Sequence, residues 1–262
     1  MFETFLRLPH VIGRAVLRSL AHVGRFSLLT AELIRALSEW RIWLPRTFEE
    51  ARNIGFGSLF IVLLISGFAG AVTALQTGYQ FTGSLPLYVV GTLIVESIVL
   101  ELGPVLTGLI LAGRIGARYA AELGTMRVTE QIDALESLGR SPASHLIIPR
   151  VLAGLVMVPI LTIFANAVGV FAGWWSAKQV LPISNTDFAY GAQYYWRPFD
   201  AWYSLIKAFF FAASITLIPC YMGFNTKQGA EGVGRAVTTA VVASSVIILL
   251  LDTVLARILL HS

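Results

Sequence analysis

Five runs of apolar residues divide this sequence, at 57–79, 85–112, 151–175, 199–224 and 237–260. Each reaches the roughly twenty residues a helix needs to cross a bilayer. The second run holds Glu96 and Glu101, the fourth holds Lys207, and the last holds Asp252 and Arg257 near its end. The third is free of charge but broken by Pro159. Ahead of the first run the pattern becomes amphipathic. At 100° per residue Arg7, Arg14, Arg18 and Arg25 fall on one face, and Phe5, Ile12, Val16 and Val23 on the other. This predicts a helix lying in the membrane interface, with Pro9 in its first turn. A soluble helix packed on a partner shares the pattern, but a cationic face suits lipid headgroups better.

Between the second and third runs the chain reads "ELGTMRVTEQIDALESLGRSP". Here Val128, Ile132 and Leu135 form a narrow apolar ridge, surrounded by Arg127, Glu130, Gln131, Asp133 and Glu136. A short surface helix is predicted, ended by Gly139, with Ser141 and Pro142 starting the next. A solvated connector would look the same, while a stiff helix between two spans could also receive force from a soluble motor. Small residues recur at helical spacing within the runs: Ser66, Gly70 and Ala74; Gly108, Ala112, Gly116 and Ala120; Ala165, Gly169 and Gly173; Ala236, Ala240 and Ser244. Such stripes let helices approach closely where lipid supplies no hydrophobic drive, and they predict a compact bundle that could continue across a dimer interface.

Composition agrees with the pattern. The 262 residues are 56% hydrophobic and 13% charged, with a mean hydropathy of +0.74, which excludes a soluble globular domain. The expected fold is an all-α integral membrane protein, an N-terminal interfacial amphipathic helix followed by about five transmembrane helices. Nineteen basic against fifteen acidic residues leave a net charge of +4. Arginines crowd the segment before the first run and the segment between the second and third, so both are expected on the cytoplasmic side. Five spans then put the C-terminus on the opposite side. Trp174, Trp175, Tyr194, Tyr195, Trp196, Trp202 and Tyr203 mark the outer boundary, and Trp40 and Trp43 the inner one. The basic excess fits anionic lipid rather than nucleic acid. A lone Cys220 excludes a disulfide framework. The first residues lack the apolar core and cleavage site of a secretory signal, so insertion is expected from the internal helices.

Catalytic motifs are missing from the sequence. There is no GxxxxGK[ST] phosphate loop, so ATP is expected to bind elsewhere, and "GAEGVGRA" follows no strand and reads as a turn. HExxH and GxSxG are absent, and His10, His22, His145 and His261 are scattered, so no metal site or cofactor is expected in this chain.

The stretch "ELGPVLTGLILAGRIGARYAAELGTMRVTEQIDAL" resembles the signature region of the MlaE permease family, and the likeness extends to "LQTGY", "SLGRSP…IIPR" and "GVGRAVTTAVVASSVIILLLD". The resemblance implies one ABC permease domain over residues 1–262, with an interfacial region at 1–52 and a transmembrane bundle at 53–262. It implies a homodimer in a bacterial inner membrane, the N-terminus cytoplasmic and the C-terminus periplasmic. The implied partners are a separate ABC ATPase that binds ATP and Mg, a STAS-type subunit and a hexameric MCE-domain protein. The implied cargo is phospholipid, passed between the inner membrane and the MCE protein to maintain outer-membrane lipid asymmetry. The helix from about Thr125 to Leu138 would dock on the ATPase as a cytoplasmic coupling helix, using Arg127, Val128, Glu130, Ile132, Asp133 and Leu135. Many members carry a base just before the acid of "ELGP", where this chain has Leu100.

An ionisable group in hydrocarbon costs about 2.5–3.5 kcal/mol and usually faces a cavity or a partner. Glu101, ahead of Gly103 and Pro104, is the first candidate for a polar pocket; a packing acid held neutral is the other reading. Glu96 lies about 140° around the helix from it and need not share its site. Lys207, about two turns inside the outer boundary, is placed either to snorkel to headgroups or to hold a lipid phosphate in a cavity. By resemblance, Leu75, Gln76 and Tyr79 are candidate lipid-pocket walls, with ordinary packing the alternative; Asp252 and Arg257 read as interfacial. Two other classes use the same acids. A membrane-embedded lipid-modifying enzyme predicts lipid turnover by the chain alone. A proton-coupled carrier on Glu96 or Glu101 predicts transport without an ATPase and an inverted repeat, which the sequence lacks.

Overall fold

The computed structural model describes residues 24, 27, 31–80, 86–226 and 229–260. The interfacial helix expected from Phe5 to Arg25 lies almost entirely outside these residues. Every regular element among them is helical: α1 (Trp40–Gln80), α2 (Tyr88–Val128), α3 (Gln131–Ser137), α4 (Ala143–Val180), α5 (Asn185–Tyr194), α6 (Pro198–Phe224) and α7 (Gly229–Leu260), after a short helix at 31–36. Among the described residues α1, α2, α4, α6 and α7 are long and apolar enough to span a membrane, so the protein is a multi-pass membrane protein of the all-α class.

The spans overrun the apolar runs. α1 and α2 have 41 residues each, about 62 Å at 1.5 Å per residue, twice a hydrocarbon core of about 30 Å. Backbone hydrogen bonding carries a helix past the membrane boundary wherever no proline or glycine stops it. α1 therefore takes in Arg46 and Arg52, and α2 runs on through Arg114, Arg118 and Glu122. These bases and Arg150 define the basic end of the bundle; the loop residues around Ser184 and Arg197 define the far end.

The small-residue stripes decide which spans touch. A Cβ on Gly70 would sit against the backbone carbonyl of Gly169, so α1 and α4 meet backbone to backbone over the Ser66/Gly70/Ala74 and Ala165/Gly169/Gly173 stripes. A Cβ on Gly116 would lie 3.1 Å from the Pro219 ring, and one on Gly223 would lie 2.9 Å from the Ala120 carbonyl. The α2 stripe thus faces α6, with Gly108 against Phe211 and Ile248. Ala240 and Ser244 are fully buried, and the Ser244 hydroxyl lies 3.4 Å from the Ser214 carbonyl. These stripes build the inside of one chain. α1 and α7 both border α2 but barely touch each other.

Two local predictions are met and two are corrected. Gly139 adopts φ +69 and ends α3, and the Ser141 hydroxyl accepts from the Ser144 N–H at the start of α4. The expected single rod from Thr125 to Leu138 is instead two pieces. α2 continues to Val128, the chain turns at Thr129 and Glu130, the latter at φ 60, and α3 has only seven residues. The ridge is also turned inward. Ile132 is fully buried in the main core and Leu135 packs on that core, while Val128 is exposed. A seven-residue helix holds its place only by burying its apolar side on the bundle. Glu130, Gln131, Asp133, Ala134 and Glu136 face outward with Leu138, which is 75% exposed. An Arg127–Asp133 ion pair bridges the break.

α5 was not expected. The far-end segment between α4 and α6 forms a helix whose N-cap Ser184 accepts from the Asp187 N–H at 3.0 Å. It crosses the start of α2 so closely that a Cβ on Gly191 would strike the Tyr88 carbonyl, and Thr92 donates to the Gly191 carbonyl at 2.7 Å.

Candidate functional site

α2 is not a regular helix where it carries its acid. Ser97–Leu102 is a π-helical turn, closed by a bond from the Gly103 N–H to the Ile98 carbonyl five residues back. Pro104 has no N–H to give the Leu100 carbonyl, its α-helical acceptor. That carbonyl accepts instead from Lys207 Nζ at 3.0 Å. The widened turn swings Glu101 to the same ammonium, its Oε2 2.8 Å from Nζ. π-turns inside α-helices are frequent at functional sites.

Lys207 is wholly buried. Besides Glu101 and Leu100 it meets Asp252 Oδ1 at 2.5 Å and the Tyr203 hydroxyl at 3.3 Å, with the Tyr203 ring centroid 4.9 Å away. Tyr203, four residues earlier on the same face of α6, lies with its hydroxyl 3.4 Å from Glu101 Oε1. The ammonium thus donates to Leu100, Glu101 and Tyr203 and pairs with Asp252, all from within the bundle. The member that opens outward is Glu101, whose side chain is 45% exposed. With both carboxylates ionised, one base and two acids sum to −1.

Asp252 corrects the sequence reading. Its nearness to the chain end marks it as interfacial, but α7 continues to Leu260 and carries Asp252 about 12 Å inside the far end. Lys207 lies about 14 Å in along α6, which starts at Pro198. The depth of Lys207 is legible in the sequence; its neighbours are not. Arg257 is exposed in the last turn, as expected. Next to the set, Asn166 donates to the Ser204 hydroxyl at 2.9 Å, and its Oδ1 lies against Gly103 so closely that no Cβ fits there. The signals for Tyr203, Ser204 and Asn166 were polar groups at i, i+3 and i+4 spacing, or alone, within apolar spans.

The remaining candidates stand apart. Glu96 is half-buried and makes no ion pair among the described residues. Leu75, Gln76 and Tyr79 are exposed on the far half of α1, Tyr79 at 92%. They continue a stripe of uncovered apolar side chains through Ile61, Leu64, Phe68 and Val72. α7 presents a second such face with Val246, Leu250 and Val254.

A second charged cluster joins α1, α2 and α4 at the basic end. Arg150 lies 3.0 Å from Glu122 and 3.9 Å from Glu50, and Arg118 lies 2.6 Å from Glu122 and 3.9 Å from Glu50. Arg150 also stacks 5.3 Å from the centre of the Tyr119 ring, whose hydroxyl donates to Glu50 at 3.3 Å. Two bases meet two acids, and Arg150 is buried. Nothing along the chain but the excess of arginine points to it. Arg114 stays outside the cluster and lies over Gly57 of α1.

Five apolar spans, a charged set seated on a π-turn and uncovered apolar faces narrow the comparison with known proteins. The chain is 39% identical to a probable ABC transporter permease protein of Rickettsia prowazekii, over 94% of this chain and 95% of that one. It is 32% identical to the intermembrane phospholipid transport system permease protein MlaE of Haemophilus influenzae, over 95% of each. It is 35% identical to the chloroplastic protein TRIGALACTOSYLDIACYLGLYCEROL 1 of Arabidopsis thaliana, over 95% of this chain and 66% of that one. The family model for permease MlaE matches residues 47–258, and the chain belongs to the MlaE family of ABC transporter permeases.

Proposed function

We propose that this chain is the permease subunit of an ABC transporter that moves phospholipid, and that two copies enclose the path. The observation that carries the reading is the Glu101–Lys207–Asp252 set, which lies inside the apolar bundle and opens through Glu101, in a chain whose α1 and α7 carry bare apolar faces. Exposing two long acyl chains to water costs on the order of 20 kcal/mol at about 0.8 kcal/mol per CH₂, so a lipid in transit needs an apolar wall throughout. The described residues offer bare apolar faces on α1, α4 and α7; a two-fold pair that turns the α1 and α7 faces toward each other encloses the path. Leu75, Gln76 and Tyr79 would then line the outer part of the chamber, with Glu101 and the groups it binds at a polar spot in its wall. The named function of the Haemophilus relative supports phospholipid as cargo.

The rest of the assembly follows the same reading. The basic end faces the cytoplasm of a bacterium and the far end the periplasm, where a hexameric MCE-domain protein exchanges lipid with the chamber and so maintains outer-membrane asymmetry. A separate ATPase holding ATP and Mg, with a STAS-type subunit, docks at the basic end. It meets the outward side of α3, Glu130, Asp133, Glu136 and Leu138, while Ile132 and Leu135 fix α3 to the bundle and Arg127 braces Asp133.

The test is transfer of a fluorescent phospholipid by the chain reconstituted with its ATPase. ATP-dependent transfer is expected, abolished by Glu101→Ala and reduced at least tenfold by Leu138→Asp. Lipid turnover by the chain alone, or transfer without the ATPase, overturns the reading in favour of an enzyme or a proton-coupled carrier.

A further inference from the structure

A second apolar feature lies away from the Lys207 set, on the outside of the α1–α4 seam toward the basic end. Toward the basic end from the backbone contact at Gly70 and Gly169, the seam carries a groove of about 420 Å³ that contains Gly55, Phe56, Met157 and Phe164. Gly55 gives the groove its floor, because a Cβ there would lie 2.4 Å from the Met157 methyl. Its rims face outward: Phe48 is 70% and Phe56 80% exposed. Beyond Arg52 the α1 wall runs to Leu59, about 10 Å at 1.5 Å per residue, two-thirds of the roughly 15 Å of one leaflet. The groove therefore lies within one leaflet.

The mouth of the groove carries a cation. Arg52 lines it and is the last charge before an uncharged stretch from 53 to 80. Its neighbours are engaged, Arg46 with the His145 carbonyl at 2.8 Å and Arg150 with Glu50 and Glu122. Arg52 is exposed and has no carboxylate partner among the described residues. A lone guanidinium at the polar end of an apolar slot is complementary to one class of molecule, an amphiphile with an anionic head and a long chain.

We propose that the α1–α4 seam is a binding site for an anionic phospholipid of the leaflet at the basic end, one acyl chain lying over Gly55 and the phosphate paired with Arg52. The site rests on the groove and the unpaired base, and stands whether or not the Glu101 chamber carries lipid.

The test places the full chain in nanodiscs of phosphatidylglycerol and phosphatidylethanolamine containing traces of either lipid with a photoactivatable acyl chain, and maps the labelled peptides. Label is expected at 48–59 and 157–164, with phosphatidylglycerol favoured about fivefold, the effect of one juxtamembrane base. Arg52→Gln should bring the two lipids level. Gly55→Phe, which fills the floor, should lower label from both at least tenfold in the seam while the exposed face of α7 is labelled as before. Met157→Phe replaces it if that variant does not fold. Label spread evenly over α1, α4 and α7, or unchanged by filling the floor, overturns the proposal. So does a seam that takes up label only once residues 1–30 are deleted, since the chain's own N-terminal segment would then be the occupant.

Discussion

The two charged clusters use the same kinds of side chain to opposite ends. At the basic end Arg118 and Arg150 face Glu50 and Glu122, two charges against two, with Tyr119 closing one side. In the far half Lys207 alone faces Glu101 and Asp252, is wholly buried, and leaves Glu101 open to one side. A balanced cluster near water needs no further partner and clamps three helices. An unbalanced one inside the apolar bundle retains a carboxylate edge that its own residues do not cover, on a π-turn of the kind frequent at functional sites. Breaking a buried pair from one side costs more than replacing all of it with apolar groups, and this asymmetry separates the two roles.

The largest effect is expected from Lys207→Ala, which strands two acids in the bundle. It should cost about 3–5 kcal/mol of stability in thermal unfolding and abolish lipid transfer. Lys207→Met combined with Glu101→Gln and Asp252→Asn should restore most of the stability without restoring transfer; recovery of both would make the set structural only. Arg150→Ala should cost about 3 kcal/mol, because Glu50 and Glu122 keep only the more exposed Arg118. Its apolar counterpart, Arg150→Met with Glu50→Gln and Glu122→Gln, should recover transfer as well as stability. Loss of transfer in that stable variant would erase the contrast between the clusters. Asp252→Asn leaves Lys207 paired with Glu101 and should cost about 1–2 kcal/mol. Arg118→Ala removes an exposed i,i+4 pair and should cost no more than about 0.5 kcal/mol, a difference that vanishes in 1 M salt.

What the sequence could and could not reveal follows from the same physics. Spans and stripes were legible because a bilayer demands a fixed length of apolar chain and close helix contact demands small residues, so Gly70 and Gly169 could be singled out before their contact was known. The π-turn at Ser97–Leu102 was foreshadowed by Gly103 and Pro104, and Lys207 and Glu101 by being charges where charge is costly. Asp252 was misjudged because nearness to the end of an apolar run was read as nearness to the membrane surface, and the run says nothing of which neighbour turns toward it. The Ile132 ridge was legible as an apolar side, but seven residues of pattern cannot tell a bundle from a partner as its cover. α5 was missed although Ser184 and Asp187 carry a capping signal, because its mixed sequence has no clear apolar period.

The widened turns in α2, at Ser97–Leu102 and again at Ala112–Gly116, have a consequence for how such a chain can change length. Each accommodates one surplus residue within a single coil, so excising one residue there yields an ordinary coil and leaves both flanks facing as before. The same excision a few residues away would rotate every later side chain of the span by about 100° and turn its glycines from α6. α2 thus carries two places where an indel could be absorbed, and the one nearer the far end is where Glu101 and Lys207 meet.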